Sequence, residues 1–245
     1  MRGIQGSHLF YTIWRSLINT HLSYDPYGDE ATQDSADWMV QRKWITNNPI
    51  FETTNTSLSC NTPGTPARAY IPITAGQNIT AVYAYWVHTV GPMIAWLAYC
   101  ANDANDCHTF DSSSADWFKI GQKGLLEGTI EGGTWFQKSF SMWDGSPSLW
   151  SETIPKTLRP GRYLVRHEII SLHSANKPQF YPECAHLDVK GIGYELPGKE
   201  YIAKIPGVWS MDRKCAVFGD GNDTDDGQNR RSTLIYISRR CRTRQ

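Results

Sequence analysis

Between residues 167 and 184 the chain reads HEIISLHSANKPQFYPEC. Two imidazoles (His167 and His173), a carboxamide (Gln179), a phenol (Tyr181) and a thiol (Cys184) fall inside this stretch. Imidazole nitrogens suit borderline transition metals, and amide and phenol groups donate and accept hydrogen bonds around such an ion. In a β-strand, residues two apart share a face, so Gln179 and Tyr181 point the same way. His173 ends the preceding strand-like run. A hairpin through SANKP brings it alongside them. A further imidazole, His88 in WVHTVGPM, precedes a Gly-Pro turn, where a strand end exposes its side chains at a sheet edge. Each residue also has a plainer role when taken alone. His88 would be a surface histidine, Tyr181 a core tyrosine with its hydroxyl satisfied, and His173 a hydrogen-bonded strand end. His167 alternates with Arg166 and Glu168 and is expected to pack or pair, and His108 and His186 are read as structural.

The elements that must position these groups read as strands. ARAYIPITAGQNITAVYAYWVH gives a short strand, a Thr-Ala-Gly turn and then the alternation Ile79, Ala81, Tyr83, Tyr85. MIAWLAYC is a short, nearly continuous apolar run, as in a buried sandwich strand. ADWFKIGQKGLL is another strand. A turn at Pro160-Gly161 opens a long one, QFYPECAHLDVKG follows it, and STLIYIS closes the chain. No helix longer than two turns is expected. Residues 20–52 are irregular and polar with scattered aromatics, the mark of a functional or partly ordered loop. Residues 219–229 are acidic, and residues 230–244 carry six arginines, read as a solvated tail tethered through Cys241. An adhesive role for that tail is the lesser reading.

With 245 residues, the chain is long enough for one large all-β domain. The expected fold is an immunoglobulin-like or fibronectin-like antiparallel β-sandwich with long loops. It spans residues 1–245 as one domain, with 1–7 as a leader remnant and 213–245 as a C-terminal extension. Lys+Arg and Asp+Glu both count 24, which gives no pull toward nucleic acid or anionic membranes. No run of about 20 apolar residues is present, so no membrane helix is expected. Ten Trp and twelve Tyr are assigned mainly to a β core. The six cysteines, Cys60, Cys100, Cys107, Cys184, Cys215 and Cys241, form no CxxC pair, which argues against zinc ribbons and thioredoxin-like chemistry. An even, dispersed set points to disulfides in an oxidising compartment, and sequence alone does not choose the pairing. Glycosylation acceptors at Asn55, Asn78 and Asn222 agree with secretion. The first residues, MRGIQGS, hold no apolar run of the kind a signal peptide needs.

Three motifs carry a resemblance to the fungal lytic polysaccharide monooxygenases of auxiliary-activity family nine. They are His88 ahead of Gly91-Pro92, GRYLVRHEIISLHSA over 161–175 (close to GxYLLRxExIALHSA) and QFYPEC over 179–184 (close to QFYxxC). IPGVWS, 205–210, is similar to the family's PGAY segment, and the likeness runs from about residue 60 to 212. It implies one copper ion in a histidine brace, held by the amine and imidazole of a mature N-terminal histidine and by a second imidazole. HLFYTIWRSLIN, from His8, is similar to the family's mature start, so His8 would be that first residue once processing frees its amine. His88 would be the second imidazole and Tyr181 the axial group, with His173 and Gln179 handling the oxygen species. The implied substrate is cellulose or a related β-1,4-glucan, and the implied partner a small reductant or a secreted dehydrogenase acting on a monomeric, extracellular protein. Tyr24, Tyr27 and Trp209 are candidates to stack on glucan rings, with core or loop packing as the alternative. The family's disulfides are matched by Cys60 with Cys184 and by Cys100 with Cys107, which leaves Cys215 and Cys241 as a third pair. Two spacings differ from the family. His88 is one residue further from Gly-Pro than the usual His-x-Gly-Pro, and the loop from His173 to Gln179 is shorter. A chain that kept its first seven residues would lack the amine and be a polysaccharide- or copper-binding protein without turnover.

Overall fold

The computed structural model describes residues 12–16, 20–21, 30–83, 86–130, 132–142, 144, 146–174 and 177–209. The expected strand STLIYIS and residue Tyr85 lie outside them. In chain order the strands are β1 (Thr12–Ser16), β2 (Thr20–His21), β3 (Ile71–Thr74), β4 (Asn78–Tyr83), β5 (Met93–Tyr99) and β6 (Trp117–Lys123). They continue with β7 (Leu125–Glu127), β8 (Thr134–Trp135), β9 (Ser148–Thr153), β10 (Gly161–Ser171), β11 (Gln179–Lys190) and β12 (Ile202–Ala203). The described α-helices are short, α1 (Glu30–Ser35) and α2 (Phe136–Phe140).

Two main sheets form a sandwich. One has the order β2-β1-β4-β9 and the other β12-β6-β5-β10-β11-β3, and β7 and β8 make a small separate ribbon. All pairings are antiparallel except that of β11 with β3. Between the sheets pack Ile79, Ala81 and Trp150 from the first and Ala95, Leu97, Val165, Ile169, Ala185 and Leu187 from the second. The outer face of the six-stranded sheet is also covered. There Ile94, Trp96, Leu164, Ile170, Phe180 and Cys184 pack under Leu58, Ile205 and Trp209. Both faces being buried explains why MIAWLAYC reads as a continuous apolar run rather than an alternation.

β10 buries three charged or polar residues in a row. Arg166 and Glu168, two apart, share the outer face and pair at 2.6 Å with both side chains fully buried. Arg166 also donates to the carbonyls of Leu58 and Ser59, and Glu168 accepts from Trp209 Nε1 at 3.1 Å. His167 faces inward and stacks on Trp150 at 4.2 Å. His186 lies buried against Tyr70 and His108. Disulfides join Cys60 to Cys184 and Cys100 to Cys107, while Cys215 and Cys241 fall outside the described residues. The irregular segment before β3 is described from Glu30 on. After α1 it lies along β11 by single bridges, Gln41 to Ala185 and Ile50 to Phe180, with Val40 and Trp44 buried. Isolated bridges impose no period, which is why the sequence there reads as structureless.

Candidate metal centre

The long hairpin of β10 and β11 sets the first half of the site. Its register pairs Ser171 with Gln179 and Ile169 with Tyr181, so the turn returns His173 beside Gln179. Gln179 and Tyr181 do share a face, and the Tyr181 hydroxyl donates to Gln179 Oε1 at 2.8 Å. Gln179 Nε2 stands 3.5 Å from His173 Nε2, at the edge of hydrogen-bonding reach, and Ser171 Oγ holds His173 from Nδ1.

The second half comes from the loop between β4 and β5. Its far end is stitched to β10, where the Ile170 amide donates to Pro92 O and the Leu172 amide to Val90 O, both at 2.9 Å. Gly91 adopts φ +130° with Ile170 O so close that a Cβ there would lie 2.0 Å away. Only glycine fits such a turn. The segment from His88 to Pro92 holds one residue more than His-x-Gly-Pro. His88 still lands with Nε2 3.0 Å from the Tyr181 hydroxyl, and its ring lies parallel to that of His173 at 4.6 Å.

The phenol has one proton, and Gln179 Oε1 can only accept. The consistent network therefore has His88 Nε2–H donating to Tyr181 and Tyr181 donating to Gln179. Burial, with His173 nearby, pushes the His88 imidazole down to about 4, so the ring is neutral at neutral pH. Burial also raises the Tyr181 phenol above its ordinary value, so it stays protonated. A neutral imidazole presents its Nε2 lone pair by moving a proton to Nδ1, with no net proton release. His173 is exposed, whereas His88, Gln179 and Tyr181 are half-buried, which places the cluster at an open sheet end. The donor set fits an ion that favours imidazole nitrogen with a distant oxygen, as copper does. Among the described residues no group of three or more His, Cys, Asp or Glu completes a metal site.

Of the other expected site residues, His8, Tyr24, Tyr27 and Asn222 lie outside the described residues. Trp209 is a correction. It is 2% exposed, packed near Phe180, with its indole N–H bound to Glu168, so it offers no face to a sugar ring. Asn55 and Asn78 are both exposed. Three residues around His88 escaped the sequence reading. Trp86 packs edge-on against His88 and Tyr181, Gln137 binds the Trp86 indole, and Ser141 Oγ lies 3.0 Å from His88 O. Gln137 sits in TWFQKSF beside the polar Lys138 and Ser139, so nothing in the sequence sets it apart.

The β-sandwich thus carries paired imidazoles, a phenol and a carboxamide together at one open end. The model of Auxiliary Activity family 9 (formerly GH61) matches residues 11–225, and the chain belongs to that family of lytic polysaccharide monooxygenases, enzymes that cleave polysaccharides oxidatively. It is 37% identical over 209 residues to the AA9 family lytic polysaccharide monooxygenase B of Heterobasidion irregulare, covering 84% of this chain and 80% of that protein. With monooxygenase D of Thermothelomyces thermophilus the identity is 43% over 176 residues, 69% of this chain and 66% of the relative. Among solved structures, that of HiLPMO9B is 41% identical with a TM-score of 0.64, over 70% of this chain and 75% of that one. A cellulose-active polysaccharide monooxygenase from M. thermophila is 37% identical with a TM-score of 0.66, over 74% and 79%.

Proposed function

We propose that the protein, once processed to His8, cleaves β-1,4-glucan, cellulose foremost, and that the amine and imidazole of His8 and the imidazole of His88 would hold one copper ion, with the Tyr181 phenol beside it. The observation that carries this is His88 Nε2 set 3.0 Å from the Tyr181 hydroxyl, with His173 and Gln179 closing around them at an open sheet end. When bound, copper supplies one-electron activation of O₂ or H₂O₂ sufficient to attack a strong C–H bond, fed by a small reductant or a secreted dehydrogenase. The protein's own groups set the rest. His88 is kept neutral by burial, and Tyr181 is kept protonated beneath it. Tyr181 and His173 orient the Gln179 amide from either side. In this reading His173 passes a proton between solvent and the site, supported by its exposure and its tether to Ser171. A sheet end rather than a pocket suits a polymer that cannot enter a cleft. Similarity to a cellulose-active structure supports the substrate class.

The same reading takes residues 1–7 as removed, residues 213–245 as an extension of a single domain, and the protein as secreted, monomeric and glycosylated at Asn55, Asn78 and Asn222. No described helix is long and apolar enough to cross a membrane. Calorimetric titration of the chain beginning at His8 tests the centre. One Cu(II) per chain, bound at micromolar affinity or tighter and lost on His88→Ala, is the expected result. Absence of 1:1 binding would reject the centre and leave a polysaccharide-binding protein.

A further inference from the structure

The His88 loop is fixed from one side by β10, and from the other it is met by a buried amide. Gln137, in α2, is fully buried. Its Oε1 accepts from Trp86 Nε1 at 3.1 Å, upstream of His88. Its Nε2 donates to Ile170 O at 2.8 Å and reaches Pro92 O at 3.3 Å, downstream of His88. One side chain thus spans both ends of the loop and ties it to the strand that ends beside His173. The same turn of α2 ends at Ser141, whose hydroxyl reaches both His88 O and Gln137 O.

Trp86 carries this constraint to the site. Its indole meets His88 at 5.2 Å and 77°, and Tyr181 at 5.1 Å and 89°. Both contacts are edge-to-face, the arrangement aromatic rings prefer, and both are sensitive to the tilt of the indole. The hydrogen bond to Gln137 constrains the indole tilt. A buried polar group that loses its partner is costly, so the indole N–H stays with Gln137 Oε1 rather than turning elsewhere.

We propose that Gln137 is a positioning residue for the metal centre, acting through Trp86 to fix the relative tilt of the His88 and Tyr181 rings. The inference rests on the copper reading above, yet its first readout needs no metal. Neither residue is among the ligands proposed above for the ion. Groups that orient ligands in this way change metal affinity by about 10–100-fold when removed.

The test uses the chain processed to His8 and the variants Gln137→Met, which keeps volume, and Trp86→Phe, which keeps an aromatic ring but loses the N–H. In metal-free protein, long-range proton–nitrogen spectra of the imidazoles report the His88 tautomer and its exchange. Both variants are expected to mix the two tautomers. With Cu(II), calorimetry is expected to give an affinity about 10-fold weaker or more, with a changed electron paramagnetic resonance spectrum. The double variant should match the worse single one, because both break one relay. A purely structural role for Gln137 predicts a lower melting temperature with an unchanged His88 tautomer and copper spectrum. That result, or a Kd within twofold of the parent in both variants, would overturn the proposal. Should Gln137→Met fail to fold, Trp86→Phe decides alone. If the parent binds no copper, the function reading fails, and the metal-free imidazole spectra still decide this one.

Discussion

Replacing Glu168 by alanine gives the most direct test of how the six-stranded sheet is held. Glu168 Oε1 accepts from Arg166 Nη2 at 2.6 Å and from Trp209 Nε1 at 3.1 Å, and both charged side chains are fully buried. In Glu168→Ala the guanidinium keeps only the carbonyls of Leu58 and Ser59, and the indole loses its acceptor. Removing one partner of a buried ion pair costs about 3–5 kcal/mol, because the remaining charge stays desolvated. For a chain of this size each kcal/mol lowers the melting temperature by about 2–4 °C, so the expected drop is about 6–20 °C. Thermal unfolding followed by far-ultraviolet circular dichroism, with disulfides intact, measures it. The double variant Arg166→Met with Glu168→Leu removes both charges and should recover part of the loss. Recovery stays partial because the two carbonyls are then left without a donor. A Glu168→Ala protein within about 1 kcal/mol of the parent would refute the argument, since no buried charge would then have been stranded.

Three further outcomes follow from the same geometry. Burial holds the His167 imidazole down at about 3 and His186 well below its ordinary value, so both are neutral in the folded chain. The unfolded chain takes up these protons below about pH 6.5, so stability is full above that value. It should fall as pH drops toward 3, by up to about 1.4 kcal/mol per pH unit per histidine, measured by denaturant midpoints across that window. Opening the Cys60–Cys184 bond by Cys→Ala at both positions frees a loop spanning 124 residues, with an expected loss of about 4–5 kcal/mol in chemical denaturation. Gly91→Ala drives a Cβ to 2.0 Å from Ile170 O at φ +130°. It should destabilise by about 1–3 kcal/mol or more and weaken copper binding by displacing His88, which calorimetry on the processed chain would detect.

The strands were legible wherever the side-chain pattern had a period. The hairpin of β10 and β11 could be placed from Pro160-Gly161 and the SANKP turn. The shared face of Gln179 and Tyr181 followed from spacing alone. The approach of His88 to Tyr181 could not be read that way, because the two are 93 positions apart and meet through a loop stitched to β10. The motif resemblance, not periodicity, brought His88 into the cluster. For Trp209 the sequence left sugar stacking and core packing open, and the choice of core packing depends on an acceptor 41 positions away on β10. Gln137 gave no pattern, since one buried amide in a five-residue helix has no period to break. Residues 36–52 looked structureless because they pair by single bridges rather than a ladder.

The six-stranded sheet is sealed on both of its sides, inward against its partner sheet and outward beneath the Leu58, Ile205 and Trp209 cover. No broad wall of this sheet is left for a ligand to rest on, so its contact with one falls to strand tips and the loops that join them. Lengthening, shortening or recolouring those loops can then retune which polymer docks while the load-carrying frame stays untouched.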